Sequence, residues 1–183
     1  MNNRPQHYPL SGNSLLQLLI SLAITAILVG LSVPSFQRLL VELQLQTHYQ
    51  VLLSAVLLAR SEAISRRQRV SLCQSDQQRQ CDKRKTWHTG WIIFVDSNRN
   101  NRRDTDEPLI GTQQALASTT LHFNRRTRIA FHPTGIAVGG SNGTFIFCDP
   151  RDPNAGKGMI LSNIGRIRPA TDAQIIAKGG CPA

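Results

Sequence analysis

From Asn13 to Gln37 the chain carries no charged residue, and Leu15 to Val33 is almost wholly Leu, Ile, Val and Ala. At about 1.5 Å per residue such a run spans the ~30 Å hydrocarbon core of a bilayer, so it predicts one transmembrane helix. Beyond Pro34 the pattern turns one-sided. Leu45, Tyr49, Leu52, Val56, Ala59 and Ala63 recur at steps of three and four, which predicts that the helix continues as an amphipathic one with its apolar stripe laid on a sheet. Pro34 removes a backbone donor inside that helix and predicts a kink. Arg60, Arg66, Arg67 and Arg69 crowd its last turns, where cations oppose the negative end of the helix dipole.

After Arg69 the runs become short and apolar or alternating: Val70 to Cys73, Trp87 to Val95, Leu121 to Phe123, Ile129 to Phe131, Thr144 to Cys148 and Met159 to Ser162. Each predicts a strand. His132-Pro133-Thr134-Gly135 and Gly139-Gly140-Ser141-Asn142-Gly143 punctuate them as turns, and strands so closely spaced fit antiparallel sheets against the one long helix. The expected class is α+β. The expected divisions are a leader over 1–12, the transmembrane part of the helix over 13–34, its continuation over 35–68, and a β-rich domain with a C-terminal tail over 69–183. Arg4 and His7 precede the apolar run, so the leader is expected on the cytoplasmic side and the β-rich domain across the membrane.

Charge adds a candidate partner. The chain has 21 Lys and Arg against 11 Asp and Glu, a net charge of +10, which favours salt-sensitive attraction to polyanions such as nucleic acid or anionic lipid. The four cysteines, Cys73, Cys81, Cys148 and Cys181, include no CxxC pair and read as two disulfides in an oxidising compartment. Of the three connectivities, Cys73 with Cys81 and Cys148 with Cys181 is preferred, because it closes a short local loop and fastens the tail to the body.

Asp96, Asn98, Asn100, Asp104 and Glu107 occupy positions 1, 3, 5, 9 and 12 of a calcium-loop spacing. However, Asn101 stands where that loop needs Gly, and Arg99, Arg102 and Arg103 add repulsive charge. The segment is therefore read as an Asx-rich hairpin, and no metal or other cofactor is assigned. His48, His88, His122 and His132 are scattered without ligand spacing, and no nucleophile elbow is present, so no enzymatic activity is expected.

A short basic leader ending in Gly12, an apolar helix directly after it and Pro34 about twenty residues on resemble a type IV prepilin. Gly90-Trp91-Ile92-Ile93-Phe94-Val95-Asp96-Ser97-Asn98, Asp106-Glu107-Pro108-Leu109 and Phe131-His132-Pro133-Thr134-Gly135 resemble the FimT/GspH branch of that family, and with Cys148 and Cys181 the resemblance covers nearly the whole chain. It implies that prepilin peptidase cleaves after Gly12 and methylates Asn13, that the helix is held in the inner membrane before joining a filament of major and minor pilins, and that the outer domain is periplasmic. The family usually has Phe first and Glu fifth in the mature chain. Here Asn13 and Gln17 stand there, and Gln17 can only hydrogen-bond where Glu would form an ion pair.

In DNA-binding members a Gly-Arg-x-Arg motif near the C-terminus contacts DNA, and Gly165, Arg166 and Arg168 match it. The resemblance thus implies binding of double-stranded DNA without sequence preference, and a role in natural transformation. Lys178, and more weakly Arg151 and Lys157, are candidates to extend the patch, with the tail to Cys181 expected to be mobile enough to wrap a duplex. The competing reading is a structural minor pilin or type II secretion pseudopilin that primes assembly without binding DNA.

Overall fold

The computed structural model describes residues 14–123 and 127–181, so Gly12 and Asn13 lie outside the described residues. Helix α1 runs without a break over Ser14–Arg66, and the chain divides after Leu40 into two compact units. The first unit contains the apolar part of α1, whose side chains from Leu15 to Val33 are exposed wherever they are described. Among the described residues α1 is the helix long and apolar enough to cross a membrane. Three of its hydroxyls bond back to the helix: Ser21 Oγ donates to the Leu18 carbonyl (2.9 Å), Thr25 Oγ1 to Ser21 (2.6 Å) and Ser32 Oγ to Leu28 (2.7 Å). This is how a polar side chain is accommodated in hydrocarbon.

The second unit begins at Val41. After α1 come β1 (Val70–Gln74), a 3-10 turn at Trp87–Thr89, β2 (Trp91–Val95), β3 (Leu109–Gln113), β4 (Thr120–Phe123), β5 (Arg128–Phe131), β6 (Gly143–Asp149), β7 (Asp152–Leu161), β8 (Ile167–Pro169) and α2 (Asp172–Ile176). They form two four-stranded sheets, ordered β3-β2-β1-β5 and β4-β6-β7-β8, with every pairing antiparallel. The stripe of α1 meets both. Leu45, Leu52, Val56, Ala59 and Ala63 share one core with Leu72, Trp91 and Ile93 of the first sheet and with Phe145, Phe147 and Met159 of the second. Trp87 closes one side of this core, edge-on to Phe145 at 5.1 Å and to Phe123 at 6.1 Å, pairings that typically add about 0.5–1.5 kcal/mol each beyond area burial.

The central strands are buried on both faces, which one helix cannot achieve alone. A disulfide-pinned segment covers the outer face of each sheet. Cys73–Cys81 holds the β1–β2 loop over Ile92 and Phe94. Cys148–Cys181 holds the C-terminal segment over Ile146, with Ile175 and Ala170. Gly158 is what lets α2 approach, since a Cβ there would lie 2.6 Å from the Ala170 Cβ and 2.8 Å from the Ile175 Cγ1.

Several expectations need correction. The helix stops at Arg66 and not at 68, because Arg67 turns left-handed at φ 53°. The run Trp87 to Val95 is a 3-10 turn and a strand, separated by Gly90 at φ 114°. Strand β3 has no counterpart among the expected strands: it is a half-exposed edge with a bulge between Leu109 and Gly111. Strand β7 begins well before Met159. The tail expected to be mobile is partly folded and tied to the second sheet by Cys148–Cys181. It folds as α2, with the Thr171 N–H donating to Gln174 Oε1 at 3.1 Å and Ile175 buried.

Candidate nucleic-acid interface

Strands β7 and β8 are joined by a tight turn at the edge of the second sheet. Leu161 pairs with Ile167, the Gly165 N–H donates to the Ser162 carbonyl at 3.0 Å and the Ser162 N–H to the Arg166 carbonyl at 2.9 Å. Ser162 Oγ in turn accepts the Arg166 N–H at 3.1 Å. Gly165 sits at φ 76°, and a Cβ there would lie 2.4 Å from the Gly135 carbonyl oxygen, a distance only a glycine allows. The first residue of the Gly-Arg-x-Arg match is thus a structural requirement of the turn. It lets Ser162–Gly165 nest against His132–Gly135, where the Ala137 N–H donates to the Asn163 carbonyl at 3.0 Å.

From this support Arg166 closes the turn just before β8 and Arg168 lies within it, while the intervening Ile167 is half-buried against the core, the alternation of an extended segment. Both arginines are exposed. Among the described residues neither forms an ion pair with a carboxylate. Arg168 Nη1 reaches only neutral acceptors, the Pro169 carbonyl at 3.4 Å and Gln174 Oε1 at 3.2 Å. A guanidinium so placed retains its charge and several donors for a phosphate oxygen.

The other basic residues separate. Lys178 is exposed just past α2, and α2 rests on Gly158 through Ile175. Arg166 lies beyond the Leu161 end of β7, so the two are at opposite ends of β8 and its extension. Arg151 is taken by Asp149, with Nε–Oδ1 at 2.8 Å and Nη2–Oδ2 at 2.5 Å. Those bonds hold the buried Asp149 carboxyl below its ordinary value and raise Arg151. Lys157 donates to Gln46 Oε1 at 2.8 Å and lies 3.7 Å from Glu42. Neither belongs to the open patch. One cation that the sequence places only at the helix dipole does adjoin it: Arg60 donates its Nε to the Gly135 carbonyl at 3.0 Å, and that nitrogen would be 3.2 Å from a Cβ at Gly165. The wide separation of Arg60 from Gly165 along the chain hides this neighbour from any local motif.

The Asx-rich loop uses its acceptors on itself. Asp96, fully buried, accepts from Ser71 Oγ at 2.8 Å and from the Asn101 N–H at 3.3 Å, and Arg69 Nε lies 3.1 Å from it. Glu107 accepts the Ser97 and Asp104 N–H groups at 2.8 and 3.1 Å. Asp104 accepts from Asn98 and Asn100, both at 2.7 Å. Among the described residues no three His, Cys, Asp or Glu converge as metal ligands. His132 caps its own turn, with Nδ1 accepting the Thr134 N–H at 3.3 Å. Gln17 lies on α1 with its side chain exposed.

No curated protein sequence matches the chain. A family model described as type II transport protein GspH matches residues 49–165, so Arg166 and Arg168 lie just beyond the matched stretch. Among solved structures, the type IV minor pilin FimU of Pseudomonas aeruginosa is similar at 20% identity and a TM-score of 0.55, over 70% of this chain and 90% of that one. The minor pseudopilin EpsH of the Vibrio cholerae type II secretion system is similar at 11% identity and a TM-score of 0.50, over 72% of this chain and 98% of that one. The matched part is a helix packed on antiparallel sheets, the fold this chain shares with these structures, and with the family match over most of the β-rich unit the chain belongs to the GspH/FimT family of minor type IV pilins and pseudopilins.

Proposed function

We propose that this chain is a minor type IV pilin that binds extracellular double-stranded DNA without sequence preference and promotes DNA uptake in natural transformation. What supports the reading is the pair Arg166 and Arg168, carried by a glycine-dependent turn and the edge strand that follows it, exposed and free of carboxylate partners among the described residues. Guanidinium groups so arranged fork onto phosphates, which carry no base identity. Its role is binding and not catalysis. On this reading prepilin peptidase cuts after Gly12, α1 holds the chain in the inner membrane with its β-rich unit in the periplasm, and the mature helix joins other pilins in a filament. Gln17 meets a neighbouring subunit there by hydrogen bonding.

The test is fluorescence anisotropy of labelled duplex DNA with the full chain in phosphatidylcholine nanodiscs, across a salt series. Replacing both arginines (R166Q/R168Q) is expected to weaken binding and to lower the slope of log K against log salt by nearly two, at about 0.9 for each phosphate that is no longer neutralised. Binding unchanged in the variant would reject the tail as the DNA-binding surface.

A second reading, assembly priming by protein association alone, draws on Ile64, Ile136 and Ile164, which are exposed around the same pair of turns. Such apolar exposure suits a neighbouring subunit better than a phosphate backbone. Loss of pilus assembly with DNA binding absent in wild type would favour it.

A further inference from the structure

A second group of cations comes together on the other sheet, far in sequence from the Gly-Arg-x-Arg turn. The Cys73–Cys81 disulfide pulls the β1–β2 loop back across Ile92 and Phe94, which lays residues 80–84 against residues 101–104. The two segments bound a groove of about 460 Å³ lined by Lys83, Arg84, Arg102 and Arg103. Arg103 ties them together by donating Nη1 to the Arg79 carbonyl at 3.1 Å.

Most acidic residues of this region are engaged in bonds of their own, and Asp106 is exposed on the Asx-rich loop. Asp96 and Glu107 are buried and bonded within the Asx-rich loop. Asp104, which also lines the groove, accepts from two asparagine side chains. Asp76 pairs with Lys85 at 2.8 Å, outside the groove. Asp82 lines the groove, half-buried, and accepts the Arg84 backbone N–H at 2.9 Å, with Arg84 Nε and Nη2 at 3.3 and 3.4 Å. The Arg84 guanidinium itself is exposed, and such a surface ion pair contributes little against a competing anion. Lys83, Arg84 and Arg102 are all exposed. Among the described residues Lys83 and Arg102 form no ion pair.

We propose that the groove between the disulfide loop and the Asx-rich loop is a second binding site for the phosphodiester backbone of DNA, with Lys83, Arg84 and Arg102 as its phosphate-binding residues. The chain then grips a duplex at two places on its β-rich unit. The Asx-rich loop acquires a purpose that metal binding does not supply: its internal hydrogen bonds fix the backbone that carries Arg102 and Arg103, so little ordering is left to be done on binding. This second site rests on the proposed DNA-binding function but not on the Arg166 turn.

Wild type, K83Q/R84Q/R102Q, R166Q/R168Q and the combined variant, each as the full chain in phosphatidylcholine nanodiscs, are titrated with labelled duplex DNA over a salt series. The groove variant is expected to bind more weakly, with the slope of log K against log salt lowered by about two to three and the combined variant losing the sum of both decrements. A groove variant matching wild type in affinity and slope overturns the proposal, whatever the tail variant does. Loss confined to the groove variant supports the groove and rejects the tail. A groove variant that binds DNA like wild type but no longer binds separately added phosphatidylglycerol vesicles assigns the surface to lipid and also overturns it. The substituted residues are exposed, and an unchanged circular dichroism melt confirms that each variant remains folded.

Discussion

Gly165 carries the arginine turn without touching any ligand itself. Its φ of 76° and the 2.4 Å that would separate a Cβ from the Gly135 carbonyl leave an alanine no position that avoids both strain and collision. Gly165→Ala is expected to cost about 1–3 kcal/mol, read as a lower urea midpoint of unfolding. Gly139→Ala, at a position where a Cβ meets nothing within 4 Å, serves as the control and is expected to change little. Equal effects at the two sites would mean that the turn relaxes freely. Because the same displacement moves Arg166, the Gly165 variant is also expected to weaken DNA binding while removing no charge. The arginines themselves contribute little to folding: both are exposed and unpaired with carboxylates among the described residues, so their replacement separates binding from stability.

At the level of elements, the two disulfides do the same job on opposite sheets. Each pins an otherwise weak segment over an outer face that α1 cannot reach. Helix α2 has only five residues, too short to persist by its own propensity, and it stays in place because Cys181 is tied to Cys148 and Ile175 fits over Gly158. The Cys148–Cys181 bond spans 33 residues and Cys73–Cys81 spans 8. Loop-closure entropy then predicts losses of roughly 3–4 and about 2.5 kcal/mol respectively on removal. Urea unfolding of C148A/C181A and C73A/C81A is expected to show the larger loss in the former. The reverse order would show that cover of Ile92 and Phe94 outweighs chain entropy. Removing Cys73–Cys81 also frees the loop that carries Lys83 and Arg84, so it is expected to weaken DNA binding through the groove.

For the whole molecule, acid acts on several groups in the same direction. Burial holds His48 and His88 below the ordinary imidazole value of 6.5, with His122 adding to the effect at His88. A histidine with a depressed folded value binds fewer protons folded than unfolded, so its contribution is complete above 6.5 and declines as pH falls below it. Asp149, depressed by hydrogen bonds from Arg151, adds a loss that begins only in the carboxylate range. Thermal unfolding is therefore expected to move to lower temperature from pH 7.5 to pH 5, with a further fall below about pH 4. His48→Gln is expected to flatten the first step, and a melting temperature independent of pH between 7.5 and 5 would contradict the assignment. Throughout this range the protein becomes more cationic from +10, so DNA binding is expected to tighten as stability declines.

The parts of this protein that its sequence determined are those set by local rules. A helix able to cross a membrane needs mostly apolar, uncharged residues on every face for about twenty positions, so the run from Leu15 to Val33 is readable without knowing any tertiary neighbour. The stripe from Leu45 to Ala63 follows from helix periodicity, and the buried strands β1, β2, β5 and β6 announce themselves by apolar runs. Arg166 and Arg168 are likewise visible as a spaced pair. Tertiary structure decided the rest, because the deciding partners are distant in the chain. Edge strands β3 and β8 and helix α2 are short and exposed, and exist because a neighbouring strand or a disulfide holds them. Arg151 and Lys157 look as available as Arg166 in sequence, yet Asp149, Gln46 and Glu42 occupy them. Gly165 reads as a turn residue, but only the approach of Gly135 and Arg60 makes it irreplaceable. The groove of Lys83, Arg84, Arg102 and Arg103 appears in no local pattern, since a disulfide and a folded-back loop bring its two sides together.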